Sequence, residues 1–274
     1  MSNDVLAHVA RLYFVRDLTK QEIARRLGIS RFKVARLLEE ARAQGVVRFE
    51  IREPVPVADS LAAELEARYG LDLALVVDTG SIPRAAAGLL SDLLDGEDVL
   101  GVAWGATVAA TVEELPVLTT GTPVVQVCGA VPGLEAGTGP TEVALELAAK
   151  TGGPVHALPA PAFAGYAARD ELLANDVVRP TVELFDRVTL VLVGIGARGD
   201  GGHVLVHVFD GDGAIVDSDL ADRAIALPLE RLRAARVVAV AGGHDKAAAV
   251  RGALRARLVD VLVTDEECAR AALE

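Results

Sequence analysis

Two short stretches of this 274-residue chain bring together residue types able to hold a charged or hydroxylated small molecule. Trp104, Gly105, Ala106 and Thr107 follow the apolar run VLGVA and precede a helical pattern. A helix opening there offers unpaired backbone amides, and with the Thr107 hydroxyl beside them it makes an anion seat suited to a phosphate. A glycine kept only for tight packing explains the same residues without a ligand. The second stretch, Gly242-Gly243-His244-Asp245-Lys246, joins flexible backbone to a cation, and Lys246 is one of only four lysines. An ordinary surface lysine is the alternative there. Gly129, closing the apolar run PVVQVC, and Gly196, in LVLVGIG, are further glycines near strand ends where a backbone can approach a ligand closely.

Other patterns match a chemistry formally and fail its context. Gly194-Ile195-Gly196-Ala197-Arg198-Gly199 has the spacing of a dinucleotide fingerprint, but such a fingerprint must open a helix, and here Asp200-Gly201-Gly202 leads into the strand-like HVLVHVF. It is expected to be a loop close to a ligand, and no nicotinamide or other cofactor is expected. Asp210-Gly211-Asp212-Gly213 begins like a calcium loop but places Ala214 where a third oxygen should be, so a hairpin turn explains it better. His203 and His207 are expected on one face of a strand, without a third ligand at short spacing, so a pocket-lining or buried role outranks a metal site. No nucleophile-elbow, zinc-protease or Walker motif occurs, leaving covalent catalysis and nucleotide hydrolysis without support.

These residues need elements to position them, and the chain from Asp59 onward supplies short apolar strands alternating with amphipathic helices. LALVVD, VLGVAWG, PVVQVCGAV, VTLVLVGIG, RVVAVAGG and VDVLVTD read as strands buried on both faces, which predicts a parallel sheet covered by helices on both sides. In such sheets ligands sit beyond the carboxyl ends of the strands, which is where both stretches fall.

Residues 1–53 read differently. TKQEIARRLGISRFKVARLLEEARAQG predicts two short helices across a tight turn: Thr19 and Glu22 form a capping box, Gly28 makes the turn, and Ser30 caps a second helix whose inward stripe is Val34, Leu37, Leu38 and Ala41. Its other face opens with Arg31, Phe32, Lys33 and Arg36, the side expected to meet DNA, with Thr19 and Ser30 at the helix starts. An ordinary helical hairpin with a solvated basic face is the alternative. NDVLAHVARLYFVR predicts a supporting helix burying Val5, Val9, Leu12 and Tyr13, with Leu6 beside them. VVRFEI predicts a short strand, either a wing against DNA or an edge strand on the head, before a stiff boundary at Glu53 to Pro56. Charge divides at the same place. Residues 1–52 hold 11 Lys and Arg against 6 Asp and Glu, a net of +5, which leaves −17 of the overall −12 for the remainder. A basic head on an acidic body directs nucleic acid to the head alone.

Cys128 and Cys268 lie in apolar surroundings without disulfide or zinc spacing, and are expected as buried free thiols in a reducing cytoplasm. With no leader-like opening and no apolar run of about 18 residues, a soluble cytoplasmic protein without membrane association is expected.

The head sequence LYFVRDLTKQEIARRLGISRFKVARLLEEARAQGVVRFEI resembles that of the SorC-type sugar-binding bacterial transcriptional regulators. LGVAWGATV, PVVQVCGAV, LVLVGIG and VVAVAGGHDKAAAVRGALRARLVDVLVTDEECARAAL resemble their effector domain in the same order. The resemblance implies an α/β chain: a winged helix-turn-helix over residues 1–53, then a Rossmann-like, sugar-isomerase-like parallel-sheet domain over residues 54–274 that binds a sugar, polyol or sugar phosphate. It further implies double-stranded operator DNA as partner and a homo-oligomer, dimer or tetramer. The family's Gly-Thr-Thr phosphate turn falls on Gly105, Ala106 and Thr107, with a methyl replacing one hydroxyl; its Gly-Gly-x-x-Lys corner is kept as Gly242, Gly243 and Lys246. Gly202 and His203 stand where many members carry glycine and an acidic residue. A sugar-phosphate isomerase or deaminase with an accessory head is the alternative, with Asp200, Asp210 and Asp212 as candidate bases, although aspartate among glycines is more often a turn residue.

Overall fold

In the computed structural model, which describes residues 3–47, 58–216 and 219–274, the chain divides into two compact units, Met1–Pro54 and Val55–Glu274. The first contains α1 (Asn3–Phe14), α2 (Lys20–Leu27) and α3 (Arg31–Ala43). At the start of α2 the Thr19 Oγ1 accepts from the Glu22 amide at 3.3 Å while the Thr19 amide donates to the Glu22 carboxylate at 2.8 Å. The Thr19 hydroxyl also donates to that carboxylate at 2.7 Å, and the hydroxyl and amide of Thr19, with help from Arg25 and Arg26, hold the Glu22 carboxyl below its ordinary range. Gly28 ends α2 at φ 62°, a left-handed conformation that costs glycine nothing, and Ser30 Oγ then accepts from the Lys33 amide at 3.1 Å to start α3.

Ile23 and Ala24 of α2 and Val34, Leu37, Leu38 and Ala41 of α3 close on Leu6, Val9, Ala10 and Leu12 of α1. The α1 stripe differs from the expected one. Val5 is exposed, and Leu6 takes its place facing the other helices together with Ala10. The expected VVRFEI strand and the Glu53 to Pro56 boundary lie largely outside the described residues, which leave off after Val47.

The second unit is built on β1 (Leu73–Val77), β2 (Leu100–Val102), β3 (Val124–Gln126), β4 (Val155–His156), β5 (Leu190–Arg198), β6 (Gly201–Val204), β7 (His207–Phe209), β8 (Arg236–Val240) and β9 (Val261–Asp265). Seven of these form one parallel sheet in the order β1-β9-β8-β5-β2-β3-β4, and β6 and β7 extend β5 as an antiparallel meander. Its helices are α4 (Asp59–Tyr69), α5 (Ile82–Leu93), α6 (Ala106–Glu114), α7 (Pro140–Thr151), α8 (Tyr166–Ala174), α9 (Arg179–Glu183), α10 (Asp219–Asp222), α11 (Leu229–Ala234), α12 (Ala247–Arg255) and α13 (Glu266–Leu273). Alternate strand residues serve opposite cores. Leu190 and Leu192 of β5 join the core shared with α5, α6 and α7 on one face, while Val191 and Val193 join the core shared with α4, α12 and α13 on the other. That is the doubly covered α/β sheet expected from the all-apolar strands.

The strand order fixes where a ligand can enter. From β2 the chain winds outward to β3 and β4; from β5, which pairs directly with β2, it winds the other way to β8 and β9. The connections that follow β2 and β5 therefore lead in opposite directions along the sheet, and the gap between the carboxyl ends of these two strands is the sheet's switch point.

Two expectations change in the β5 to β7 region. The Gly194 to Gly199 run is not a loop: it is the second half of β5, and Gly199 at φ 60° turns it back into β6. HVLVHVF is two strands rather than one, reversed at Leu205 and Val206, with Leu205 at φ 51°. Because His203 pairs across with Val208, and Val204 with His207, the two histidines lie on opposite faces. The Asp210 to Gly213 turn is as expected: Asp210 Oδ1 accepts from the Asp212 and Ala214 amides at 3.0 and 2.9 Å, and Gly213 turns at φ 82°.

Candidate functional site

At the switch point lies a cavity of about 300 Å³ walled by three strand ends. Residues Ala103 to Val108 come from the β2 to α6 turn and the first turn of α6, Gly194, Ile195 and Gly196 from β5, and Val240, Ala241 and Gly242 from the end of β8; His203, Leu205 and Lys246 complete the lining. Of the residues singled out by sequence, Trp104, Gly105, Ala106, Thr107, Gly196, His203 and Lys246 meet here. Gly129 and Gly243 do not line it. A Cβ on Gly129 would lie 2.4 Å from the Pro161 carbonyl oxygen, so that glycine serves a close crossing of two segments.

The β2 side supplies amides. Gly105, at φ 119° and ψ 160°, precedes α6 with no side chain capping that helix. Its own amide is spent on the Thr138 carbonyl at 3.1 Å, and the Ala109 amide is the first to return to the Gly105 carbonyl. The amides of Ala106, Thr107 and Val108 thus precede the helical ladder and form the positive end of the α6 dipole. Thr107 adds a half-buried hydroxyl, and Ala106 offers only a methyl beside it.

The β8 side supplies a cation on a corner held from behind. Asp265, ending β9, is 1% exposed. One of its oxygens accepts from the Gly243 amide at 2.7 Å and the Thr79 hydroxyl at 2.9 Å; the other caps α13 through the Cys268 amide at 2.7 Å. Gly243 at φ 93° then starts the short turn that carries Lys246 into the cavity wall. Gly242 has no room for a side chain, since a Cβ there would sit 2.6 Å from Asp265 Oδ2. Asp265 was missed in the sequence. VTDEEC shows it as a helix cap, but its partner Gly243 lies 22 residues away and nothing local announces the pairing.

His203 closes the third side. Its Nδ1 lies 3.0 Å from the Leu205 carbonyl oxygen, which can only accept, so Nδ1 carries the proton. Burial lowers the imidazole's pKa, Arg198 and Lys246 lower it further, and the bond to Leu205 opposes them. The ring is therefore neutral at pH 7, with Nε2 left as an acceptor. It lies against Gly196, its cross-strand partner, where a Cβ would come within 2.0 Å of Nε2. His207, on the other face, is buried and lines a separate pocket, where its Nε2 is 2.9 Å from the Leu227 carbonyl.

Cys128 and Cys268 are buried and unpaired, and burial pushes their thiols up to about 12 and about 11. Among the described residues no cluster of three metal-ligating side chains occurs, and no helix is long and apolar enough to cross a membrane. In the head, Arg31, Phe32, Lys33 and Arg36 are all exposed along the first turns of α3, with Ser30 at its start and Thr19 at the start of α2.

The chain is similar to known proteins. The Sugar-bind family model, a sugar-binding domain, matches residues 54–206 and 198–274. The erythritol catabolism regulatory protein EryD of Brucella abortus is 31% identical over 98% of this chain and 96% of its own length. The sorbitol operon regulator of Klebsiella pneumoniae is 27% identical over 100% and 99%. The crystal structure of full-length SorC from Klebsiella pneumoniae superposes with a TM-score of 0.75 at 26% identity, covering 99% of both chains. The chain belongs to the SorC-type family of sugar-binding transcriptional regulators.

Proposed function

We propose that this chain is a DNA-binding regulator of a carbohydrate-metabolism operon, controlled by a sugar, polyol or sugar phosphate bound at the β2/β5 switch point. The observation that carries the effector assignment is the lining itself: helix-start amides with Thr107, the Lys246 ammonium and a neutral His203 converge on one cavity. The first two suit an anionic group, and the His203 Nε2 suits a hydroxyl donor. At about 300 Å³ the cavity lies at the small end of ligand pockets, which fits one monosaccharide or polyol unit better than a nucleoside or disaccharide.

A regulator is favoured over an isomerase or deaminase by the same lining. Moving a proton between adjacent sugar carbons calls for a base, usually a carboxylate. Among the described residues lining the cavity there is no Asp or Glu. Asp210 is engaged by its own turn, and Asp212 pairs with Arg255 at 3.1 Å. In the head, Thr19, Ser30, Arg31, Phe32, Lys33 and Arg36 are the residues we assign to operator DNA. Reading a palindromic operator calls for a dimer or a tetramer, and operator DNA as partner supports a cytoplasmic location.

A thermal-shift series with polyols, sugars and their phosphates tests the effector assignment. A ligand at about a hundred times its Kd adds about 2.7 kcal/mol to the body's stability. The expected result is a larger shift from a phosphorylated compound than from its free form, lost in Lys246→Ala. Equal shifts from both forms would remove the anion seat, and turnover of a sugar phosphate would restore the enzyme reading.

A further inference from the structure

Phe32 is 85% exposed, the most exposed of the large apolar side chains among the described residues. It is not needed to build the head, whose interior is filled by residues of α1, α2 and α3 that exclude it. It occupies the second position of α3, directly between Arg31 and Lys33, with Arg36 one turn further on, all three exposed. The carboxylates of this helix, Glu39 and Glu40, come only in its later turns. An apolar ring framed by three cations at a recognition-helix start matches a surface that is polyanionic and has an isolated apolar feature. An apolar protein surface would leave the cations unpaired.

Duplex DNA offers that combination in its major groove. Phosphates line the rim, and among base edges the only apolar group is the C5 methyl of thymine. Phe32 has no hydrogen-bonding atom beyond its backbone, so it cannot distinguish donors from acceptors and can select only by covering that methyl. We propose that Phe32 reads thymine: its ring covers the C5 methyl of one thymine in each operator half-site, while Arg31, Lys33 and Arg36 supply hydrogen bonds and phosphate neutralisation around it. This rests on the DNA-binding reading of the head and adds to it a base identity at one position.

The test uses the full chain and an operator obtained by selection from random duplexes. Each thymine of the selected site is replaced singly by deoxyuridine, which removes the methyl and nothing else, and affinities are measured by competition gel shift at fixed salt. Wild type is expected to lose affinity about fourfold at one thymine per half-site, the fold-change that corresponds to about 0.8 kcal/mol for one buried carbon. Phe32→Ala is expected to bind the thymine and deoxyuridine sites equally, with the wild-type salt dependence, because a neutral side chain releases no counterions. A circular-dichroism melt of the same variant checks that the head remains folded, and Phe32→Leu, still apolar, is expected to keep part of the discrimination. Operator binding that is indifferent to every thymine replacement overturns the proposal while leaving the head a DNA reader. Failure to enrich any duplex overturns the DNA-binding reading itself. A Phe32→Ala variant that still discriminates thymine but changes its association state by sedimentation moves Phe32 to a protein interface, which also overturns the proposal.

Discussion

Removing the Asp265 carboxylate should damage both the body's stability and its cavity, by amounts the hydrogen bonds allow to be estimated. The group accepts from Gly243, Thr79 and Cys268 at 2.7, 2.9 and 2.7 Å, and is 1% exposed. Asp265→Ala loses the α13 cap, at about 1 kcal/mol, and orphans the Gly243 amide at about 1–3 kcal/mol. The Thr79 bond adds about 0.5–1.5 kcal/mol, for a total of about 2.5–5.5 kcal/mol. Asp265→Asn keeps one accepting oxygen. If it caps α13, the new amide opposes the Gly243 N–H; if it takes Gly243, the cap is lost, so the smaller cost is about 1 kcal/mol. Trp104 is the chain's single tryptophan and lines the cavity, so its fluorescence in a urea titration reports the body without the head. The order wild type, Asn, Ala is expected, with effector affinity falling in the same order as the Gly242 to Lys246 corner loosens. An Ala variant within about 1 kcal/mol of wild type would refute the view that this carboxylate builds the site.

Arg31→Ala and Arg36→Ala should each weaken operator binding in a gel shift and, where the lost contact is to phosphate, reduce the salt slope by about 0.9, without lowering the head's melting temperature. His203 and His207 both have pKa values lowered chiefly by burial, opposed by bonds to the Leu205 and Leu227 carbonyls. The unfolded chain therefore binds protons first, near an ordinary value of about 6.5, and folded stability is complete above that pH and declines as pH falls below it. Denaturation midpoints measured from pH 7.5 to 5 should fall, and a His203→Gln, His207→Gln double variant should flatten the curve; an unchanged slope would assign the decline to other groups.

The parts of this molecule that were legible in sequence are those specified by neighbouring residues. Thr19 with Glu22, Gly28, and Ser30 with the Lys33 amide all act within a few positions, so the head's caps and turn were readable one by one. The apolar strands were equally plain, because a parallel sheet buried on both faces leaves no polar alternation to misread. What escaped depends on distant pairing. Whether His203 and His207 share a face turns on the reversal at Leu205, where a non-glycine residue adopts φ 51° and gives no sequence signal. On α1 the expected stripe is right at Val9 and Leu12 and wrong at Val5, because Val5 and Leu6 are both apolar and contact with the other helices chooses between them. Asp265 was legible as the end of the strand VDVLVTD and not as the support for Gly243.

The overall charge of −12 misleads about both partners, for the same physical reason. Coulomb interactions between exposed charges fade beyond about 10 Å at moderate salt, so what a partner meets is local charge rather than the sum. At α3 the local charge is Arg31, Lys33 and Arg36, with the head's surplus of +5 over residues 1–52 behind it. In the cavity it is Lys246 with Arg198 near enough to lower the His203 pKa, and no carboxylate among the described lining residues. An acidic residue in place of His203 would set a negative charge beside Lys246 and compete with an anionic ligand for it. A neutral imidazole leaves Lys246 free for the ligand while keeping an acceptor for a hydroxyl. The body can therefore be acidic enough to leave DNA to the head and still hold, at one switch point, a site suited to a ligand bearing both an anion and a hydroxyl.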